Sequence, residues 1–233
     1  MKLVDLPSIE LPKGPPPAFT YSPPRQPFLD IVHRDDEVLL LNKPSGLLSV
    51  PGKGETHKDC LELRAKSRFP FVKPVHRLDM DTSGLLLMGM GSEAHRYLSI
   101  GFERRLVQKT YVALVYGHVR EGEGLVDQPL ICDWPNRPRQ MICPLRGKAS
   151  QTKWQVRGYE GQHTRLELTP LTGRSHQLRV HMASIGHAIL GDKFYAHEEA
   201  KTAAPRLCLH AEHLSFRHPK DGARVEFSAP CPF

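Results

Sequence analysis

The sequence predicts an α+β fold built on a mixed, mainly antiparallel sheet with flanking helices. Three observations lead there. Short apolar and β-branched runs bounded by Gly and Pro recur along the chain, helical periodicity is confined to a few short segments, and strands do not alternate with helices as regular βαβ units would. At 233 residues one large core or two small ones can form, and one domain is the simpler expectation.

Taken in order, residues 1–27 hold eight of the 21 prolines, including Pro15-Pro16-Pro17 and Pro23-Pro24. Such a stretch sustains neither a helix nor a central strand, so it reads as an N-terminal extension, extended and mobile or draped on the surface. Residues 28–233 carry the globular pattern. Val38 to Leu41 reads as a buried strand, ended by Lys43-Pro44-Ser45-Gly46. Asp59 to Phe69 suits a short helix. His76 to Gly84 is a polar, Gly-ended turn that feeds the apolar run Leu85-Leu86-Leu87-Met88. Ser92 can cap a helix with Ala94, Leu98 and Phe102 on one face, its last turn weakened by Gly101. Tyr111 to Gly117 is β-branched and aromatic, and Thr164 to Leu168 alternates as a half-buried strand does. Ser175 then opens a helix with Leu178, Met182 and Ile185 facing the core and Gly186 beyond its end.

Composition narrows the classes of function. Formal charge is +7, which suits a polyanion such as nucleic acid, although many soluble proteins are mildly basic. Five cysteines (Cys60, Cys132, Cys143, Cys208, Cys231) contain no C-x-x-C pair, arguing against a disulfide framework or a tetrahedral zinc site. No apolar run approaches the roughly 20 residues of a membrane span, and the first residues lack a signal peptide's pattern. A reducing cytoplasm and no membrane association are the expectation.

Several motifs carry chemistry. Arg77 and Asp79 put a guanidinium and a carboxylate beside His76 on a turn held by a strand, a rigid platform for a reactive side chain. The same residues also fill ordinary turns. Asp79-x-Asp81-x-Ser83-Gly84 imitates a calcium loop, but its twelfth position is Met90 where a bidentate Glu is required. Gly89-Met90-Gly91-Ser92-Glu93-Ala94 fits a dinucleotide turn locally, without the downstream acid or βα alternation. His176/His181 and His210/His213 lack the zincin pattern. No metal and no organic cofactor is expected. On a helix, His176 and Arg179 would share a face away from the apolar stripe, near an N-terminus able to hold phosphate or a carboxylate; a solvated basic face is the alternative. Between Ile131 and Lys148, Arg137, Arg139, Arg146 and Lys148 stand against Asp133 alone, with Trp134 nearby. That suits an RNA loop, and a charged surface loop equally well.

Taken together, the chain resembles the RluA family of pseudouridine synthases over nearly all of residues 29–233. Four ordered blocks carry the likeness: Asn42 to Gly52, His76 to Gly84, Lys109-Thr110-Tyr111-Val112, and Gly173 to His181. The stretch Leu130 to Pro138 and the Ser49-Val50-Pro51-Gly52 loop are similar to members acting on both large-subunit (23S) ribosomal RNA and the tRNA anticodon stem-loop, and no S4-type RNA-binding domain precedes residue 28. The resemblance implies the family's catalytic fold with an RNA-binding cleft, no cofactor, RNA as partner, and a monomer without an obligate protein partner. It makes Asp79 the essential carboxylate and Arg179 its pairing cation. Tyr111 stacks on the target uracil and serves in the late proton removal, and Arg77 enters the space left by the flipped nucleotide. His76, Arg174, His176, Arg137 and Arg139 contact the substrate.

Physical chemistry agrees with these roles. Pseudouridine formation breaks the bond from ribose C1′ to uracil N1, turns the base and joins C1′ to C5, so the target must leave its stack. An Arg side chain can fill the gap and a Tyr ring offers uracil a face. Asp79 must stay ionised, which a neighbouring cation favours. Attack on C1′, addition to C6 and removal of the 2′ proton all use the same Asp, and the residue types do not decide among them. Two other classes carry a discriminating test. A non-catalytic RNA-binding protein would be indifferent to Asp79→Asn, and a Rossmann-type oxidoreductase would be stabilised by a nicotinamide dinucleotide.

Overall fold

The computed structural model describes Gly14 and residues 20–233. Most of the Pro-rich extension therefore lies outside the described residues. The described chain forms two compact units, one made of residues 20–109 with 210–233, the other of residues 110–209.

The first unit runs through β1 (Ile31–Arg34), β2 (Val38–Lys43), α1 (Leu61–Lys66), β3 (Val72–Pro74), β4 (Ser83–Met90) and α2 (Ser92–Glu103). The second holds most of β5 (Gln108–Tyr116), then β6 (Glu123–Asp127), β7 (Leu130–Cys132), β8 (Gln140–Ile142), β9 (Gln151–Glu160), β10 (His163–Pro170), α3 (Gln177–Ser184) and α4 (Glu198–Thr202). The first unit is completed by β11 (Leu209–Arg217) and β12 (Arg224–Ser228). These elements are the expected α+β mixture: strands predominate and the helices are few.

In the first unit the sheet order is β1-β2-β4-β11, with β12 on β11 and β3 on β4. The β4–β11 pair is parallel and the others are antiparallel. β4 is buried from Ser83 through Gly89, which explains its continuous apolar run: with both faces covered, no alternation is needed. Val38, Leu40, Leu85, Leu87, Leu98, Leu214 and Phe216 form the core of this unit. In the second unit the order is β5-β10-β9-β6, all antiparallel, with β7 and β8 as a separate hairpin. β10 alternates buried and half-buried residues along its length, as its sequence pattern requires.

Three boundaries differ from the sequence reading, each for a local reason. α1 is confined to Leu61–Lys66. α2 is capped at Gly91, whose φ is +87°, so Ser92 is the first helical residue and not the cap. Gly89 lies so close to α2 that a Cβ would come within 2.5 Å of the His95 nitrogen. Gly89 thus has a packing reason and Gly91 a conformational one, and neither depends on a dinucleotide. α3 begins at Gln177, because His176 adopts the left-handed conformation with φ +53°.

Candidate active site

Within the first unit, the loop from His76 to Thr82 is held from below by the loop that follows β2. Lys43 is fully buried, and its ammonium donates to the carbonyl oxygens of Pro44 (2.9 Å), Leu47 (2.7 Å) and Met80 (2.8 Å). Gly46 N–H also donates to Met80 O (2.9 Å), and Ser45 Oγ donates to Asp81 O (2.7 Å). Ser49 Oγ accepts from Leu78 N–H and donates to Leu78 O, at 3.1 and 2.7 Å. The backbone of Leu78, Met80 and Asp81 is thereby fixed on both sides of Asp79, and Thr82 N–H closes the turn on Asp79 O. Leu78 is buried, Arg77 is exposed and Asp79 is half-buried.

The motif's ends are anchored as firmly. His76 Nε2 accepts from Leu87 N–H at 3.0 Å, and its ring stacks on Phe102 at 4.7 Å. Burial first, then the charge of Lys109, push its pKa down to about 3. The ring is neutral with its proton on Nδ1, since Nε2 is the acceptor. At the other end, Ser83 Oγ meets His210 Nδ1 at 2.9 Å, while His210 Nε2 lies 3.1 Å from Ala229 O. A carbonyl can only accept, so His210 carries its proton on Nε2 and accepts from the serine. Gly84 has φ +112°, and a Cβ there would fall within 2.3 Å of Ala211 O.

Within the second unit, Tyr111 lies on β5 opposite Leu168 of β10 and is half-buried. Arg179 is 3% exposed, and its Nε and Nη2 donate to Asp192 at 2.8 and 2.6 Å. Burial pushes the Asp192 carboxyl up, but the Arg179 charge and hydrogen bonds, with the N–H groups of Phe194 and Tyr195, outweigh it and hold the pKa below its ordinary value. The guanidinium also lies over the rings of Phe194 (5.0 Å) and Tyr195 (5.2 Å). Asp192 and Tyr195 were not anticipated as part of the site. An Asp two residues before the N–H it accepts, in Gly191-Asp192-Lys193-Phe194-Tyr195, was the available signal.

The expected shared face of His176 and Arg179 does not exist. Every residue of α3 from Gln177 to Ser184 is buried, and His176 stands outside the helix. The polar side chains are satisfied internally instead. Gln177 Nε2 donates to Gln151 O and Thr152 Oγ1, leaving the Thr152 hydroxyl proton for His181 Nδ1. His181 Nε2–H then donates to Gln128 O, and burial lowers the His181 pKa to about 4.

The basic stretch after β7 folds as the β7–β8 hairpin. Trp134 at its tip is 65% exposed, with the Arg137 guanidinium over its ring at 4.7 Å. Arg139, in contrast, is buried. Gln140 N–H donates to Tyr195 Oη at 2.8 Å, and the same oxygen bonds His176 Nδ1 at 2.7 Å. The hairpin, His176 and the Arg179–Asp192 pair therefore meet at one tyrosine. Arg174 is exposed, its Nε donating to Ala149 O. Among the described residues, no group of three His, Cys, Asp or Glu is placed to hold a metal ion, and no helix is long and apolar enough to cross a membrane.

The sequence and fold as a whole are similar to those of proteins that modify RNA. Residues 37–184 match the RNA pseudouridylate synthase family. The chain is 54% identical over 215 residues to the dual-specificity RNA pseudouridine synthase RluA of Pasteurella multocida, covering 92% of this chain and 98% of that one. It is 52% identical to the protein of the same name from Escherichia coli K12, covering 91% and 98%. Among solved structures, human RNA pseudouridylate synthase domain containing 1 superposes with a TM-score of 0.73 at 30% identity, covering 93% of this chain and 86% of that one. The chain belongs to the RluA family of pseudouridine synthases, isomerases that act on RNA.

Proposed function

We propose that this chain converts uridine to pseudouridine in stem-loops of two RNA classes, large-subunit ribosomal RNA and the tRNA anticodon arm. The observation that carries this reading is identity of 54% and 52% over 98% of the length of two relatives whose names state dual specificity. The hairpin of Trp134 and Arg137 supports it, offering an aromatic face and charge to an unpaired RNA segment.

In this reading the catalytic domain spans residues 28–233, after an N-terminal extension of residues 1–27. Asp79 is the essential carboxylate, used as nucleophile or base, and its clamped turn supplies the fixed geometry that such a step needs. Arg77, exposed beside it, fills the gap left in the RNA by the extruded nucleotide. Tyr111 stacks on the uracil and takes part in removing the C5 proton once C1′ is joined to C5. Arg179, itself held by Asp192, is the cation that pairs with the reacting carboxylate. His76, Arg174, His176, Arg137 and Arg139 contact the RNA substrate. The reaction is an isomerisation, so atoms and electrons balance without a cofactor. The protein acts as a cytoplasmic monomer with no obligate protein partner.

The test is incubation with unmodified tRNA and with ribosomal RNA fragments bearing uridine loops, followed by mapping of pseudouridine at nucleotide resolution. Product in both RNA classes is expected. Product in one class only would overturn dual specificity, and product in neither would overturn the reading.

A further inference from the structure

We propose that the segment Thr20–Phe28 is a strap that positions the Asp79 loop, with Tyr21 as its positioning residue. This rests on the assignment of Asp79 as the catalytic carboxylate. The Tyr21 hydroxyl donates to Asp59 O at 2.6 Å and accepts from Leu48 N–H at 3.1 Å. One side chain thus ties the segment that precedes α1 to the loop that follows β2. Leu48 O and Ser49 O in turn accept from the first-turn N–H groups of α1, at Leu61 (2.8 Å) and Glu62 (3.1 Å). The α1 cap residue, Cys60, makes no side-chain capping bond, so these two carbonyls satisfy donors that the helix leaves open.

Ser49 is the next link. Its hydroxyl both accepts from and donates to the Leu78 backbone, one residue from Asp79. A displacement of Leu48 therefore reaches Leu78 through one intervening side chain. The strap is fastened at further points. Arg64 is 3% exposed, and its Nη2 donates to Pro24 O (2.8 Å) while Nε and Nη2 hold the Asp59 carboxylate at 2.7 Å. The Arg64 and Arg68 guanidinium groups lie over the Phe28 ring at 5.3 and 5.9 Å. The Tyr21 ring stacks on His57 at 5.4 Å. The proline content of the strap suits this use, because a chain already stiff and extended loses little freedom on docking.

Tyr21→Phe keeps the ring against His57 and removes only the hydroxyl. The readouts are the single-turnover rate on a uridine stem-loop RNA, the Kd for that RNA, and amide hydrogen exchange over residues 43–49 and 77–82 of the free protein. The expected result is a rate about three- to tenfold lower at unchanged Kd, with faster exchange in both segments. Because Tyr21 acts through Ser49, the double variant with Ser49→Ala loses scarcely more rate than Ser49→Ala alone. Wild-type rate and exchange in Tyr21→Phe would overturn the strap, as would fully additive losses. A lower melting temperature with an unchanged rate would reduce the strap to a structural support and overturn its positioning role. Asp79→Asn is assayed alongside: retained turnover there would sink the assignment of Asp79, while hydrogen exchange would still decide whether Tyr21 orders the loop.

Discussion

Gly84 shows how one residue joins the motif to the sheet. Its φ of +112° lies where L side chains are rare, and the parallel pairing with Ala211 leaves no space for a methyl group. Gly84→Ala is expected to destabilise the protein by about 2 to 4 kcal/mol, read from the midpoint of urea unfolding; an unchanged midpoint would contradict the geometry. The motif glycine was legible in the sequence because a Gly-ended polar turn before an apolar run is a local pattern. Its partner was not, since Ala211 is brought to it by sheet pairing from the far end of the chain. The same division applies to Lys43 and Met80. Lys43 stands in the block Asn42 to Gly52 that was singled out, but a lysine in a sequence gives no sign that its ammonium is buried against three carbonyls. Asp79, Arg77 and Tyr111 were legible as candidates because their residue types and order match a family pattern.

Among the elements, strand and helix positions followed from periodicity and turn residues, and α3 shows where periodicity stops informing. Its Arg and His residues left open a face that holds phosphate or a carboxylate and a solvated basic face; the helix is buried all round, with Arg179 on the buried Asp192 carboxylate. Polarity predicts exposure only when no partner is available inside, and here Thr152, Gln128 and Asp192 are those partners. A pH dependence follows from His181. Its native pKa of about 4 lies below the ordinary 6.5, so between these values the unfolded chain binds the extra proton. Stability is therefore full above pH 6.5 and falls as pH drops toward 4, by on the order of 2 to 4 kcal/mol. His76, whose pKa of about 3 is depressed in the same sense, extends the loss to lower pH. Thermal melts from pH 7.5 to 4.5 are expected to show a steady decline, and a flat profile would contradict neutral, buried histidines.

At the scale of the whole molecule, a charge of +7 pointed to a polyanion, and family membership shows that polyanion to be RNA. Charge alone could not separate a binding protein from an enzyme; family membership does so. RNA affinity should weaken steeply with salt as phosphate contacts release counterions. The slope of log K against log salt is expected to fall in magnitude by about 0.7 to 0.9 for each of Arg137→Ala and Arg174→Ala. A salt-independent Kd would contradict an electrostatic RNA path. The order of strands within each unit was beyond the sequence, because pairing partners such as β4 and β11 lie far apart in the chain and nothing local marks them.

The most direct measurement is turnover against binding for Asp79→Asn on a uridine stem-loop RNA, with wild-type protein assayed in parallel. The substitution preserves shape and removes the charge, and the clamp on the Leu78, Met80 and Asp81 carbonyls comes from the side chains of Ser49, Lys43 and Ser45, which it leaves in place. Pseudouridine formation is expected to fall by at least about a thousandfold while the RNA Kd stays within about threefold of wild type. Turnover within about tenfold of wild type would contradict Asp79 as the catalytic carboxylate.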